Sequence, residues 1–215
     1  MILEQAAVPP FYKNGFVIGC EDTREAMLID PGDEVEELLD AAARRQLKIT
    51  QILLTHAHLD HVTGVARAKR VLGVPVWLHQ ADNFLYEAVE AQGRMFGLDV
   101  EAQPPVDRFY EGEGPLRFGR YEVRVLHTPG HCPGGVCLAV GTEEKDSKEP
   151  IALFVGDTLF AGSIGRTDLP GGDMPTLLRS IREVLFRFPD DTIVWSGHGP
   201  RTTIGQERRS NPFLT

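Results

Sequence analysis

The chain has 215 residues, 42% hydrophobic and 25% charged, which suits one globular domain with a substantial core. Its formal net charge of -9 argues against nucleic acid and anionic membranes as partners, because both are bound mainly by clustered lysine and arginine. The N-terminal residues Met1-Ile2-Leu3-Glu4-Gln5 lack a basic segment and a long apolar core, and no stretch approaches membrane-spanning length, so we expect neither a secretion signal nor a membrane span. The three cysteines form no C-x-x-C pair, so we expect a cytoplasmic protein.

Strands and helices are predicted to alternate in the N-terminal half. Apolar runs between turn residues indicate the strands, and apolar residues at helical spacing indicate the helices. The predicted elements are a β-hairpin at 16–20 and 26–30, a helix capped by Pro31-Gly32-Asp33, a strand at 51–55, a helix with Val62, Val65, Ala68 and Leu72 on one face, a strand at 74–78 and a helix at 80–91.

The C-terminal half repeats this alternation, and its charged run at 141–149 is predicted to be a solvated hairpin loop. Alternating strands and helices imply an α/β fold in which helices cover the sheets. We predict a single domain over residues 1–215. The further predicted elements are strands at 121–127, 136–140 and 151–155, a helix that starts near Asp173 with Pro175 in its first turn, and a strand at 192–196.

The densest group of potential metal ligands directly follows the strand at 51–55. The segment His56-Ala57-His58-Leu59-Asp60-His61 places three imidazoles and one carboxylate within six residues. Because residues i and i+2 point to the same side at a strand end, His56 and His58 can converge on one point. Asp60 and His61, at the mouth of a helix, face a second point. Imidazole and carboxylate bind zinc and non-haem iron, so the segment predicts a pair of metal sites.

Three later strand ends also place a glycine beside a potential ligand. Glycine lets the backbone turn sharply and approach a bound group closely. The recurrence of this pattern is more informative than any one copy of it. The ligands are His131 in 127–135, Asp157 in Gly156-Asp157-Thr158 and His198 in Gly197-His198-Gly199-Pro200.

This ordered set, H-x-H-x-D-H followed by H, D and H, resembles the metallo-β-lactamase superfamily over nearly the whole chain. The resemblance implies a four-layer αβ/βα sandwich with two divalent metal ions. Zinc is the first expectation for these ions, and iron and manganese are the alternatives. The resemblance also implies that Asp30 orients the histidine loop. The implied ligands are His56, His58 and His131 for one metal, Asp60, His61 and His198 for the other, and Asp157 as the bridge.

Two segments are similar to the glyoxalase II group, the hydroxyacylglutathione hydrolases. They are 156–168, with its Gly165-Arg166-Thr167-Asp168, and the tail from 197 to Asn211-Pro212-Phe213, which resembles the short bacterial branch. The resemblance implies hydrolysis of a small thioester, S-lactoylglutathione or a related hydroxyacyl thioester, by a metal-bridging hydroxide. Asp60 is implied either to accept a proton from that water, as a catalytic residue, or to act only as a ligand.

The chain departs from full-length glyoxalase II at its C-terminus. Only 17 residues follow His198, so we expect no appended helical domain of the kind that supplies basic residues for glutathione. Cys132 and Gly135 also stand where the family has threonine and a larger or hydroxyl-bearing residue.

A second interpretation is a mononuclear-iron persulfide dioxygenase acting on glutathione persulfide. Such enzymes resemble this chain in the Gly165–Asp168 segment. They hold iron on a face of two histidines and one carboxylate, which suits O₂ chemistry. In this chain that face would consist of His56, His131 and Asp157.

Three residues near these motifs have open roles. His127 either supports the cluster from behind its ligands or does not take part. His79 is expected to be a partly buried, hydrogen-bonded histidine. Arg166 is expected to pair with Asp168, with contact to an anionic substrate as the alternative.

Overall fold

The computed structural model describes residues 1–112, 114–142 and 151–215, which form two compact units, Met1–Glu113 and Gly114–Thr215. Each unit has its own sheet and helices, which confirms the predicted α/β class. No helix among these residues has the length and apolarity that crossing a membrane requires. The loop predicted at 141–149 lies, from residue 143 onward, outside the described residues.

The first unit is a mixed sheet with helices between its strands. Its elements are β1 (Ile2–Ala6), β2 (Gly15–Gly19), β3 (Glu25–Ile29), α1 (Val35–Arg44), β4 (Lys48–Leu53), α2 (Leu59–Val62), α3 (Val65–Leu72), β5 (Val76–Leu78), α4 (Asn83–Glu87), α5 (Val89–Met95) and β6 (Arg108–Phe109). Among the described residues the six strands lie in chain order, antiparallel from β1 to β3 and parallel from β3 to β6. The parallel part directs the C-terminal ends of β3, β4 and β5 to one edge.

The second unit is a mostly antiparallel sheet with one parallel pair. Its elements are β7 (Leu116–Phe118), β8 (Tyr121–His127), β9 (Val136–Thr142), β10 (Ala152–Phe154), β11 (Leu159–Phe160), β12 (Ser163–Ile164), α6 (Met174–Glu183), β13 (Ile193–Trp195), β14 (Thr202–Thr203) and α7 (Ile204–Ser210). The main sheet of the described residues has the order β14-β13-β10-β9-β8-β7. Leu177 and Ile181 of α6 pack in its core with Leu153 and Val194.

The start of α6 is as predicted. Asp173 is its N-cap, and a side-chain oxygen of Asp173 accepts a hydrogen bond from Thr176 N at 2.8 Å, with Pro175 in the first turn. Such a cap satisfies one of the backbone N–H groups that a helix leaves without an intrahelical acceptor.

Two predicted helices are interrupted. The helix predicted at 80–91 is wrong as one element: a 3₁₀ turn at Gln80–Asp82 precedes α4 and α5, which are separated at Ala88. The helix predicted after the histidines is divided into α2 and α3 at Gly64, whose N–H donates to the carbonyl of Pro31 at 3.0 Å. A Cβ on Gly64 would lie 2.3 Å from the Gly32 carbonyl oxygen, so close backbone packing causes this break.

Several short elements were not predicted, among them β1, the β11–β12 hairpin and α7. The helix α7 does have a sequence signal. The side chain of Thr203 accepts a hydrogen bond from Gln206 N at 3.2 Å, the spacing of an N-cap followed three residues later by glutamine. The two-residue strands lack such a signal because apolar alternation can be recognised only over about four or more residues.

A buried ion pair lies under the turn before α1. The Lys13 ammonium donates to the Glu34 carboxylate and to the carbonyl of Asp30, and Lys13 and Glu34 are each 1% exposed. Glu34 also accepts from Gly32 N at 3.0 Å and is the N-cap position of α1. The predicted cap, Pro31-Gly32-Asp33, therefore ends one residue before the observed N-cap, and the Asp33 side chain accepts from the Thr63 hydroxyl.

We expect Lys13→Met to lower the free energy of unfolding by about 3–5 kcal/mol, because it leaves the buried Glu34 carboxylate without its cation. The double variant Lys13→Met/Glu34→Leu should recover much of that loss, since well-packed apolar residues often replace a buried ion pair without cost. Urea unfolding of the three proteins measures both effects. A loss below about 1 kcal/mol in the single variant would contradict this prediction.

Candidate metal centre

In the first unit, parallel strands bring Asp30 and the histidine loop to the same edge of the sheet. Ile29 of β3 lies opposite Leu53 of β4, so the residues that follow the two strands emerge together. The strand β4 ends two residues before the predicted position. It ends there because Thr55 N donates to Asp30 Oδ1 at 2.7 Å instead of continuing the strand.

The Asp30 carboxylate orders two of the imidazoles. It is 2% exposed and accepts from Thr55 Oγ1 at 2.6 Å, and its Oδ2 lies 3.0 Å from His61 Nδ1. Because the Thr55 proton points to Asp30, the hydroxyl oxygen accepts from His56 Nδ1 at 3.1 Å. Both imidazoles therefore carry their proton on Nδ1 and present the Nε2 lone pair, the form that binds a metal.

The four ligand candidates of this unit form two pairs. The rings of His56 and His58 meet edge-on, with centroids 4.9 Å apart, as the i, i+2 spacing predicts. His61 lies beside them, with its ring centroid 4.0 Å from that of His56. Its Nε2 is 3.8 Å from Asp60 Oδ2. The three imidazoles are buried, which limits competition from bulk water.

In the second unit, three strand ends lie at one edge of the sheet. The strands β10 and β13 are parallel, with Phe154 opposite Trp195, and β8 runs in the same direction because β8 and β10 both pair antiparallel with β9. The loops after β10 and β13 are joined by a hydrogen bond from Gly197 N to Gly156 O at 2.8 Å. The side chains that follow these strands are His131, Asp157 and His198.

Asp157 lies between the two histidines of this unit. Its Oδ2 is 3.7 Å from His131 Nε2 and 3.6 Å from His198 Nε2. These separations exceed hydrogen-bond length, and both nitrogens approach the same carboxylate oxygen. A carboxylate oxygen offers negative charge and more than one lone pair, so an oxygen that faces two imidazole nitrogens fits a ligand shared by two metals.

A backbone carbonyl orients His131. His131 Nδ1 donates to the carbonyl of Arg166 at 2.7 Å, and because a carbonyl can only accept, the Nε2 lone pair faces Asp157. The loop at 165–168 approaches this closely because of Gly165. A Cβ there would lie 1.9 Å from Asp157 O. The contact with the Arg166 carbonyl could not be predicted from sequence, since every residue type offers the same carbonyl.

The arginine side chain has a different partner. It forms two hydrogen bonds with the Asp168 carboxylate, at 2.7 and 2.8 Å, which confirms the predicted pairing. The hydrogen bond from Arg166 is the main reason that the pKa of Asp168 falls to about 2. Both side chains are exposed, so the pair stabilises the fold little.

The two remaining histidines contact loop backbone. His79 is partly buried, as predicted, and its Nδ1 accepts from Ala81 N at 3.2 Å and lies 3.1 Å from Glu111 Oε1. His127 is exposed, and its Nε2 lies 2.9 Å from the carbonyl of Pro133, in the loop that carries His131. A supporting role for His127 would therefore act through this loop.

Tyr110 is a further contact that the sequence did not reveal. Its hydroxyl accepts from Leu54 N and donates to Leu54 O, both at 3.1 Å, one residue before Thr55. Burial, followed by the charge of Asp30, raises the pKa of Tyr110 well above its ordinary value. The neutral phenol thus holds the backbone at the start of the histidine loop.

The two departures from the glyoxalase II pattern are neighbours in space. A Cβ on Gly135 would lie 3.3 Å from Cys132 Sγ and 3.2 Å from the carbonyl of Thr128. A larger residue at 135 would therefore press on the thiol. The two changes are compatible because the small residue makes room for the sulfur.

The side chains of Cys20, Cys132 and Cys137 are buried thiols. Burial raises the pKa of Cys137 to about 11, so its unreactive thiol form dominates at neutral pH. We expect the native protein to react with a thiol reagent such as DTNB far more slowly than the denatured protein, which should release three equivalents. Rapid reaction of one native thiol at neutral pH would contradict this prediction.

Comparisons with known proteins agree with this geometry. The sequence model described as "Metallo-beta-lactamase superfamily" matches residues 8–198. The chain belongs to the metallo-β-lactamase superfamily. It is 42% identical to the hydroxyacylglutathione hydrolase GloC of Haemophilus influenzae, over 100% of this chain and 98% of the relative. The predicted metallo-β-lactamase fold is thereby confirmed.

Solved structures of this superfamily are also similar. The BLEG-1 B3 metallo-β-lactamase has a TM-score of 0.88 and 40% identity, with all of both chains covered. TTHA1623, solved in a di-iron-bound form, has a TM-score of 0.83 and 40% identity over 98% of this chain and all of its own. ETHE1 from Myxococcus xanthus has a TM-score of 0.75 and 28% identity over 99% of this chain and 84% of its own.

Each of the two units carries histidine and aspartate side chains of the kind that bind metal ions in this superfamily. Their donors are imidazole nitrogens and carboxylate oxygens, a set that binds zinc or iron. In each unit, hydrogen bonds at Nδ1 direct Nε2 lone pairs away from the backbone. The residues present therefore fit the metals that the superfamily implies.

Proposed function

We propose that this member of the superfamily is a metal-dependent hydrolase of small thioesters, of the glyoxalase II type. The substrate would be S-lactoylglutathione or a related hydroxyacyl thioester. The observation that carries the proposal is that Asp157 Oδ2 lies 3.7 Å from His131 Nε2 and 3.6 Å from His198 Nε2, a spacing that supports a carboxylate ligand common to two metals. The full-length similarity to a hydroxyacylglutathione hydrolase supports the choice of substrate class.

The proposed centre holds two divalent ions. Zinc is the metal we propose first, and iron and manganese are the alternatives. The di-iron form of TTHA1623 supports keeping iron among them. The protein is proposed to act as a single domain in the cytoplasm, on a small molecule and without nucleic acid or membrane as a partner. The proposed ligands are His56, His58 and His131 for one ion, Asp60, His61 and His198 for the other, and Asp157 for both.

Two bound ions would supply an ionised water as nucleophile and positive charge to stabilise the oxyanion. The residues of the chain hold this centre in place. Asp30 and Thr55 fix the tautomers of His61 and His56, so that neither ring has to reorient. Asp60, 16% exposed at its side chain, is the carboxylate we propose to accept a proton from the attacking water.

The test is release of glutathione from S-lactoylglutathione by protein loaded separately with zinc, iron or manganese. We expect hydrolysis with at least one metal and loss of most of it in His198→Ala and His61→Ala. Asp33→Ala is the matched control, because in the described structure its exposed carboxylate accepts a hydrogen bond only from the hydroxyl of the partly buried Thr63. Turnover that is unchanged in either histidine variant would overturn the proposal.

The second candidate is a persulfide dioxygenase with one iron on His56, His131 and Asp157. The resemblance of 165–168 to that group and the similarity to ETHE1 favour it. Oxygen consumption with glutathione persulfide distinguishes it, since hydrolysis of a thioester consumes no oxygen. Incubation of the same metal-loaded preparations with a β-lactam tests for β-lactamase activity, which the name of BLEG-1 states for that protein.

A further inference from the structure

The backbone of the histidine loop is held by a glutamine on α5. Gln92 Oε1 accepts from Leu59 N at 3.0 Å, and Gln92 Nε2 donates to the carbonyls of Ala57 at 3.1 Å and Leu85 at 2.8 Å. The amide thus contacts the residues on both sides of His58. Both protons and one lone pair of the amide are used, so its orientation is fixed.

Gln92 takes over a task that an N-cap residue usually performs. His58 is the N-cap of α2, with extended backbone angles, but in the described structure its side chain makes no capping hydrogen bond. A capping side chain must accept a backbone N–H of the first turn, whereas the imidazole of His58 is a proposed ligand. The Gln92 oxygen satisfies the first N–H of the helix instead and leaves the imidazole to the metal.

Asp82 fixes the other half of the same peptide segment. It is fully buried, and its Oδ2 accepts from Ala57 N at 3.2 Å. Ala57 stands between the two proposed ligands, His56 and His58. Its N–H is therefore held by Asp82 and its C=O by Gln92, so the segment that sets the spacing of the two imidazoles is bonded at both ends.

We propose that Gln92 and Asp82 are positioning residues for the metal centre, which hold the His56–His58 pair at ligand spacing through the backbone of Ala57 and Leu59. This inference rests on the proposed ligand set but not on the substrate. Hydrogen-bond partners of metal ligands typically change metal affinity by roughly 10- to 100-fold when they are removed. An effect of that size is expected here, because a shifted peptide displaces both imidazoles together.

The experiment compares Gln92→Ala and Gln92→Glu with Gln103→Ala. Gln103 is also partly buried and also caps a helix from a distance: its Oε1 accepts from Ala66 N at 2.7 Å, at the start of α3. The full-length protein is loaded with Co²⁺, and two properties are recorded. The first property is the d–d absorption spectrum of the bound Co²⁺. The second is the affinity for Co²⁺, measured in competition with a chelator.

We expect Gln92→Ala to bind Co²⁺ about 10- to 100-fold less tightly and to shift the absorption bands. Gln103→Ala should keep the wild-type affinity and spectrum even if it unfolds at a lower temperature. Gln92→Glu keeps the acceptor for Leu59 N but turns an oxygen toward two carbonyls, so it should also lose affinity. It serves as the test if the alanine variant does not fold.

Wild-type affinity and spectrum in a folded Gln92 variant would overturn the inference, even if its thermal stability fell. The measurement also separates this inference from the proposed function. If the wild-type protein binds no more than one metal, the proposed centre fails. If it binds two and the Gln92 variants bind them equally well, only the positioning role fails.

Discussion

Asp157→Asn is expected to lower thioester turnover by at least about a thousandfold and to reduce the bound metal from about two ions per chain to one or fewer. The amide is nearly the same size, but its NH₂ group is a hydrogen-bond donor that offers no lone pair to a metal. It also lacks the negative charge that offsets two divalent ions. Loss of a metal that stabilises the transition state by several kcal/mol corresponds to a rate effect of this size.

The matched control is Asp168→Asn in the same segment of the chain. Its carboxylate is exposed and paired with Arg166, so metal content and turnover should change little. Elemental analysis and initial rates on the same preparations provide the comparison. Two metals per chain and substantial turnover in Asp157→Asn would show that this carboxylate does not bridge.

Asp30→Ala is expected to lower the free energy of unfolding of the metal-free protein by about 3–5 kcal/mol. The substitution leaves three buried donors, Thr55 N, Thr55 Oγ1 and His61 Nδ1, without their acceptor, and each such loss costs about 1–3 kcal/mol before partial relaxation. Urea unfolding in the presence of a chelator measures this effect without the stabilisation that bound metal adds.

Asp33→Ala is the control for this prediction, because Asp33 is an exposed carboxylate three residues away in the same turn. It should cost less than about 1 kcal/mol. With metal present, Asp30→Ala should also bind its ions about 10- to 100-fold more weakly, since His61 and His56 lose their fixed tautomers. Equal stability of the two variants would contradict the role assigned to Asp30.

The sequence was sufficient wherever local patterns determine the structure. The alternation at 121–127 predicted β8, and Asp173 with Pro175 predicted the start of α6. The ligand candidates were identifiable because each follows an apolar strand and has a rare, chemically distinctive side chain. The order of those ligands along the chain indicated the family, and the family model that matches residues 8–198 then showed it.

Features that depend on tertiary packing were not predictable in this way. The break at Gly64 arises from its approach to Gly32, and the Lys13–Glu34 pair joins residues that lie 21 positions apart. A lysine and a glutamate in a polar segment are expected at the surface, so their burial could not be predicted from local pattern. These contacts were missed because they are defined by neighbours in space.

The supports of the histidine loop were hidden for a similar reason. Gln92 lies 35 residues from the Ala57 carbonyl that it contacts, and it lies one residue beyond the helix predicted at 80–91. The Arg166 carbonyl carries no side-chain signal at all. Sequence patterns thus identified the proposed ligands, whereas the groups that orient them required coordinates.

The proposed two-metal centre is tested most directly by the content of zinc, iron and manganese per chain in purified, untagged protein. The content is measured before and after reconstitution with each metal. The proposed centre predicts close to two ions per chain, falling to about one in His198→Ala. Close to one iron per chain, with no second ion bound on reconstitution, would contradict the dinuclear hydrolase and favour the persulfide dioxygenase.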